Sequence, residues 1–177
     1  MIILGLCGKA GAGKTTAAKM ICLEFDDAYI LPFAQPVKKY AMLMGWNGKK
    51  DTKGRRLLQL LGTDMGRKCI HHDIWVNHWH RALDELRYSA DCVLADDMRF
   101  DNEGQRILRL GGHLIEITGR ENPKDTDMSH ASEVGLVSVK PHYRIENSGT
   151  PFDLSIKLNE ILTEINEGQR YRDALAL

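Results

Sequence analysis

The sequence predicts an α/β domain: a five-stranded parallel sheet flanked by helices on both faces, three layers in all. Short apolar runs alternate with segments whose apolar residues recur at helical spacing, which implies parallel strands joined by crossover helices. The first apolar run ends directly in a glycine-rich loop that opens a helical pattern, the layout of a ligand site at the carboxyl end of a parallel strand. At 177 residues, 43% hydrophobic and 27% charged, the chain has the size and composition of one globular domain with a full core.

Five strands are predicted, at residues 2–7, 28–31, 91–96, 113–118 and 143–146. Ala17, Ile21 and Phe25 fall on one helical face, as do Val37, Tyr40, Ala41 and Met44, and later Trp75, Trp79, Ala82, Leu83 and Leu86. Asp101, ahead of Ile107 and Leu108, reads as a helix cap. The last helix is the best marked. Thr150 caps it, Pro151 occupies its first turn, and Leu154, Leu158, Ile161, Leu162 and Ile165 form its apolar face before Gly168 ends it. Within this one domain, residues 34–90 are far longer than a crossover needs and are expected to form a helical insertion over the crevice. Residues 119–135, polar and containing Pro123, are expected to form a short lid.

Lys plus Arg is 24 and Asp plus Glu is 24, a balance unlike that of a protein that coats nucleic acid or an acidic membrane. No apolar run is long enough to span a bilayer, and no basic-then-apolar leader opens the chain. Cys7, Cys22, Cys69 and Cys92 stand far apart without a C-x-x-C pair and read as buried thiols in a reducing compartment. A cytoplasmic protein with neither nucleic-acid nor membrane partners is expected.

Gly8–Thr15, G-K-A-G-A-G-K-T, satisfies G-x-x-x-x-G-K-[ST] between a strand and a helix. Glycines at 8, 11 and 13 let the backbone curl so that its N–H groups, those at Ala10 and Ala12 among them, turn inward on phosphate oxygens. The helix N-terminus adds positive charge, Lys14 reaches the β- and γ-phosphates, and the Thr15 hydroxyl ligates Mg²⁺. This is the phosphate-binding P-loop of a nucleoside triphosphate site. Asp96 and Asp97 end an apolar strand, where one acid holds Mg²⁺ or its water shell; the residues alone do not choose between them. Arg99, just beyond, is a candidate clamp on an acceptor phosphate.

In the insertion, Leu57, Leu58, Leu60 and Leu61 read as core, while Arg67 offers a bidentate fork to a phosphate. Asp73 reads as a helix cap first and a ligand second, and Trp75 as core ahead of base stacking. His71, His72, His78 and His80 crowd this stretch. His78 and His80 diverge by about 200° around a helix at about 100° per residue, and no cysteine pair accompanies them, which argues against zinc. Arg120 at the root of the lid, and Gly149 and Thr150 in the turn before the last helix, border the same crevice on the nucleotide side.

Together these pieces resemble the deoxynucleoside monophosphate kinases encoded by bacteriophages, within the broader P-loop NMP kinase-like group. The resemblance runs in order through Gly8–Thr15, the stretch G-R-R-L-L-Q-L-L-G-T-D-M-G-R at 54–67, and Asp73-x-Trp75-Val76. It continues through Asp97-x-Arg99-Phe100-x-Asn102-Glu103, His130-x-Ser132-Glu133 and Ile145-x-Asn147-x-Gly149-Thr150. It implies the three-layer P-loop NTPase fold and transfer of the ATP γ-phosphoryl group to a dNMP with Mg²⁺. By position, Gly11, Gly13, Lys14, Thr15 and Thr16 hold the ATP phosphates, and Arg120 sits at the lid. Arg67 and Arg99 face the acceptor phosphate. Thr63 and Asp73 are further candidates on the acceptor side, as are Lys38, Gln59 and Trp75, where the base would be selected and the family offers no fixed pattern to carry over. The partner is a small nucleotide, and a homodimer is left open. Three rival readings stay alongside: a P-loop kinase for another small acceptor, a nucleotide-driven ATPase or switch, and a module that binds a nucleotide without turnover, which the complete Lys-Thr loop and two strand-end acids argue against.

Overall fold

The computed structural model describes residues 1–119 and 136–175. Five strands, β1 (Ile2–Cys7), β2 (Ala28–Ile30), β3 (Cys92–Ala95), β4 (His113–Thr118) and β5 (Tyr143–Glu146), form one parallel sheet in the order β2-β3-β1-β4-β5. β1 is central: from it the chain winds to β2 and β3 on one side and to β4 and β5 on the other. This opens the crevice at the carboxyl ends of β1 and β3 where ligands of such sheets bind.

Alternation along the strands builds the two outer layers. Leu4 and Leu6 of β1, with Leu94, Ile115 and Ile117, face α1 (Lys14–Cys22) and α6 (Pro151–Leu175), whose Ile21, Leu154, Leu158, Leu162 and Ile165 complete that core. Ile3 of β1, with Val93 and Leu114, faces α4 (Ile74–Leu86) and α5 (Asp101–Arg109) through Trp79, Leu83 and Ile107. Each such aliphatic side chain taken out of water contributes about 1.5–3 kcal/mol before chain entropy is set against it. The remaining helices, α2 (Gln35–Leu43), α3 (Thr52–Gln59) and an eleven-residue π-helical segment, Leu60–Ile70, occupy the insertion between β2 and β3.

Several local expectations are corrected. α6 runs through Gly168 to Leu175, because an exposed glycine weakens a helix without ending one that is anchored by its own buried face. Asp101 is the first residue of α5, not its cap. Its carboxylate instead accepts from the amides of Val137, Ser138 and Val139 and from the Ser138 hydroxyl, while Glu103 accepts from the Phe100 amide at 3.1 Å and takes the capping role. Leu57, Leu58, Leu60 and Leu61 are half-buried and belong to neither core cluster. In α2 only Val37 and Ala41 are buried; Tyr40 and Met44 are exposed. Cys7 and Cys92 are buried, but Cys22 is half-buried and Cys69 exposed.

Gly5, in the middle of β1, shows how tightly the second layer closes. A Cβ there would stand 2.7 Å from Ile107 Cδ1, 3.0 Å from Leu114 Cδ2 and 3.1 Å from the Met98 sulfur. Strand propensity favours Gly5→Val, and packing opposes it; in a closed core overpacking wins. Gly5→Val is expected to lower stability by about 1–3 kcal/mol in urea titration, and a rise in midpoint would show that this layer yields.

Candidate functional site

The loop after β1 is shaped by its glycines. Gly8 has φ 130°, and a Cβ on it would lie 2.1 Å from the Ile117 carbonyl oxygen of β4, so only glycine fits between the neighbouring strands. Gly13 has φ 104° and opens α1, whose first turn carries no side-chain cap on its amides. Uncapped N–H groups and the helix dipole together favour an anion. Lys14 folds back over the loop, and its Nζ donates to the Gly8 carbonyl at 2.7 Å and to the Lys9 carbonyl at 2.8 Å. Thr15 and Thr16 are exposed on the same turn, Ala10 and Gly11 lie at the loop's accessible rim, and Ala12 is buried beneath it. The Ala12 amide, expected to turn on phosphate, instead donates to the Lys9 carbonyl at 3.2 Å and closes the loop on itself.

At the end of β3 the two acids part company. Asp96 Oδ2 accepts from Thr15 Oγ1 at 3.0 Å, which sets a hydroxyl and a carboxylate side by side at the mouth of the loop. Hard oxygen donors of this kind suit Mg²⁺, so Thr15 and Asp96 fit the ion. Asp97 points the other way, and its two carboxylate oxygens accept from the amides of Phe33 at 2.8 Å and Ala34 at 3.0 Å, just ahead of α2. Burial pushes the Asp97 carboxyl up, against the pull of the Ala34 and Phe33 amides and of Lys38, with Asp96 adding to the rise. Thus Lys38, on α2, lies in electrostatic reach of Asp97.

Arg67, from the insertion, meets Glu103, which the motifs contain but to which the sequence alone assigns no role. Glu103 Oε1 accepts from Arg67 Nη2 at 2.5 Å, and Oε2 accepts from the amide of Arg99 at 2.8 Å, so one buried carboxylate joins both arginine-bearing segments. Arg67 also donates through Nη1 to the His72 carbonyl and Asn102 Oδ1, and its guanidinium lies 4.0 Å above the Phe100 ring. Burial pushes Glu103 up to about 7, while Arg67 and the Arg99 and Phe100 amides pull it down. Burial lowers Arg67 in turn, against Glu103 and Asp73. Asp73 stands at the N-cap position of α4 without capping it. Its Oδ1 instead accepts from Asn102 Nδ2 at 2.7 Å, which holds its carboxyl below the usual range.

Thr63 is buried in the π-helical segment, and Gln59 is half-buried where α3 passes into it. Trp75 is buried, with its indole N–H on the Gly62 carbonyl at 2.6 Å and its ring against Gly66, where a Cβ would come within 2.6 Å of Cζ2. A side chain at 66 would push the indole away, and the half-stacked Trp75–His78 pair, 5.9 Å between centroids, faces Tyr40. Thr150 and Asp153 cap α6 reciprocally, Thr150 N to Asp153 Oδ2 at 2.7 Å and Asp153 N to Thr150 Oγ1 at 3.2 Å, with Gly149 packed on the Asp153 carboxylate. Arg120, the lid at 119–135 beyond Gly119, and His130-x-Ser132-Glu133 lie outside the described residues. Asn147, read from sequence only as part of a turn, donates through Nδ2 to the Ala12 carbonyl of the loop at 2.8 Å. No short-range signal could have shown it, since 135 residues separate the partners.

The deoxynucleotide monophosphate kinase family model matches residues 46–158. A protein of Acanthamoeba polyphaga mimivirus assigned as a deoxynucleotide monophosphate kinase is 33% identical over 172 residues, covering 80% of this chain and 86% of the relative. The deoxynucleoside-5'-monophosphate kinase of Escherichia phage T5 is 31% identical over 88 residues, 46% of this chain and 34% of that protein. Among solved structures, one from Chloroflexus aurantiacus assigned as a kinase aligns with TM-score 0.55 at 14% identity, over 96% of both chains. A Thermus thermophilus protein aligns with TM-score 0.53 at 19% identity, over 92% of this chain and 97% of its own. At those identities the likeness is one of fold.

The Arg67–Glu103 pair gives a direct test of the geometry. Glu103→Ala leaves a buried guanidinium without its carboxylate and is expected to cost about 3–5 kcal/mol of stability, whereas the double replacement Arg67→Met, Glu103→Leu costs clearly less. Equal losses in urea titration would mean the pair is not buried as described.

Proposed function

The chain belongs to the deoxynucleotide monophosphate kinase family and is a phosphotransferase acting on a small nucleotide, and from this premise we propose how its residues divide the work. ATP is the phosphoryl donor, held at residues 8–16, and the acceptor is the 5′-phosphate of a deoxynucleoside monophosphate, held by the insertion at 34–90. One observation carries the reading: the complete loop Gly8–Thr15 after a central strand, with Thr15 paired to Asp96 at its mouth.

In the reaction, an acceptor phosphate oxygen bonds to the γ-phosphorus while the bond to the bridging oxygen breaks, giving dNDP and ADP. The transition state spreads negative charge over the equatorial oxygens, so placed cations and amides do most of the work and no strong base is needed. The loop amides and the first turn of α1 bind the β-phosphate region, and the Lys14 ammonium, now on the Gly8 and Lys9 carbonyls, swings the short distance onto β- and γ-oxygens. Thr15 and Asp96 would hold Mg²⁺, which when bound neutralises charge between the phosphates. Asp97 instead ties the turn before α2 to the end of β3, so Lys38 is set over the acceptor side.

Arg99 faces the acceptor phosphate. Arg67, locked on Glu103 and Phe100, shapes that side more than it reaches into it, and Trp75 backs the base region with its indole fixed on Gly62. Gln59, Thr63 and Asp73 are assigned to the same acceptor side, with the Asp73 carboxylate held by Asn102. The enzyme works on free nucleotides in the cytoplasm. The balanced charge supports that reading, and no helix among the described residues is long and apolar enough to cross a membrane.

ADP release from Mg-ATP, followed by a coupled assay against dNMPs, NMPs and no acceptor, tests the function. Release that depends on one or a few dNMPs is expected; release indifferent to the acceptor would make the protein an ATPase. In the same assay Lys14→Ala and Arg99→Ala are each expected to lower kcat at least about 10²-fold with the circular dichroism spectrum unchanged. Near-normal turnover in folded Arg99→Ala would remove Arg99 from the site.

A further inference from the structure

Asn147 follows the last residue of β5, and its position is fixed from three sides. Its amide donates to the Thr118 carbonyl at 2.8 Å and extends the β4–β5 pairing by one step. Gly119, with φ 98°, lies so close that a Cβ on it would stand 3.1 Å from the Asn147 nitrogen. The side chain is buried, 5% exposed, and reaches under the phosphate loop to the Ala12 carbonyl at 2.8 Å. A carbonyl only accepts, so the group facing it is the NH₂ of the carboxamide. The fit is close enough that a Cβ on Gly13 would sit 2.4 Å from Asn147 Nδ2, a second reason, besides its φ of 104°, for glycine at 13.

In a planar trans peptide the C=O and the following N–H point in opposite directions, and the described residues contain no cis bond. Holding the Ala12 oxygen down therefore turns the Gly13 N–H to the opposite side of the loop. We propose that Asn147 is a positioning residue for the nucleotide: by clamping the Ala12–Gly13 peptide it presets the Gly13 amide as a phosphate donor before ATP arrives. Without the clamp the peptide can flip, and each binding event must then reorient it, at a loss in affinity for anything with phosphates in the loop. The inference rests on the loop at 8–15 being the ATP phosphate cradle and not on the identity of the acceptor.

The test is calorimetric binding of Mg-ADP, which needs no acceptor, together with steady-state kinetics. Asn147→Ala is expected to raise the Kd for Mg-ADP and the KM for ATP about tenfold, as for loss of one partner of a buried hydrogen bond, with the KM for the dNMP unchanged. Asn147→Asp keeps the volume and serves where the alanine variant fails to fold. Ionised, its carboxylate faces the Ala12 oxygen and weakens binding further; protonated, it donates again. Its Kd relative to the wild type should therefore recover as pH is lowered from about 8 to about 5. A role confined to packing would lower Tm without this split or this pH profile. Mg-ADP affinity within twofold of wild type in either folded variant overturns the proposal, as does an equal rise in both KM values. Failure of the wild type to bind Mg-ADP overturns it together with the assignment of the cradle. Wild type that binds Mg-ADP but phosphorylates no dNMP rejects the acceptor assignment and leaves the Asn147 comparison to decide on its own.

Discussion

A loop that turns its amides inward on phosphate must have its carbonyls satisfied from outside, and the site is organised around this constraint. The Gly8 carbonyl accepts from Lys14, the Lys9 carbonyl from Lys14 and from the Ala12 amide, the Gly13 carbonyl from the Ala17 amide inside α1, and the Ala12 carbonyl from Asn147. Of these donors Asn147 alone comes from a distant part of the chain, and it does so because β5 ends beside the loop in the strand order β2-β3-β1-β4-β5. The central place of β1 is therefore more than a matter of burial. It brings β4, whose Ile117 oxygen excludes any side chain from Gly8, and the end of β5 against opposite ends of the same loop.

The same economy governs the acids after β3. Consecutive residues leaving a strand point to opposite sides, so Asp96 and Asp97 cannot serve one partner. Asp96 meets Thr15 at the mouth of the loop, and Asp97 anchors the turn that leads into α2. Asp97 is a half-buried carboxyl set against two amides, a site where removing the acceptor would leave both donors stranded. Its work is to fix the edge of the insertion relative to the strand that carries Asp96.

Strand positions, the phosphate loop and the apolar face of α6 were legible in the sequence because each depends on residues a few positions apart. β1, β4 and β5 stand at the predicted residues, and β2 and β3 differ only by terminal positions. The insertion was less legible. A spacing rule for α-helices does not foresee Leu60–Ile70 as π-helical, a form that opens around Gly62 and Gly66 to seat Trp75, and it assigned to the core leucines that remain half-buried. Partnerships across long stretches were invisible for the same reason. Arg67 with Glu103, Asp101 with Ser138, and Asn147 with Ala12 pair polar residues whose local context suggested a phosphate ligand, a cap and a turn.

Two of these partnerships, those of Arg67 and Asp101, belong to one short stretch, residues 96–103, which reaches several other elements. Asp96 reaches the phosphate loop, Asp97 the start of α2, Asp101 the segment at 137–139 before β5, Asn102 the head of α4, and Glu103 the π-helical segment. A buried ion pair such as Arg67–Glu103 is a poor way to gain stability, because desolvating two charges offsets most of their attraction. It is a good way to fix position, since Arg67 fits only where the carboxylate, the Phe100 ring and the His72 carbonyl coincide. Glu103 spends its other oxygen on the Arg99 and Phe100 amides, so the backbone that carries Arg99 is held by the group that holds Arg67 of the π-helical segment. On the proposed reading, Asp96 on the donor side and Arg99 on the acceptor side are carried by one short stretch of chain, and the same carboxylate that holds the Arg99 amide also holds Arg67 of the π-helical segment, so the two sides share a support.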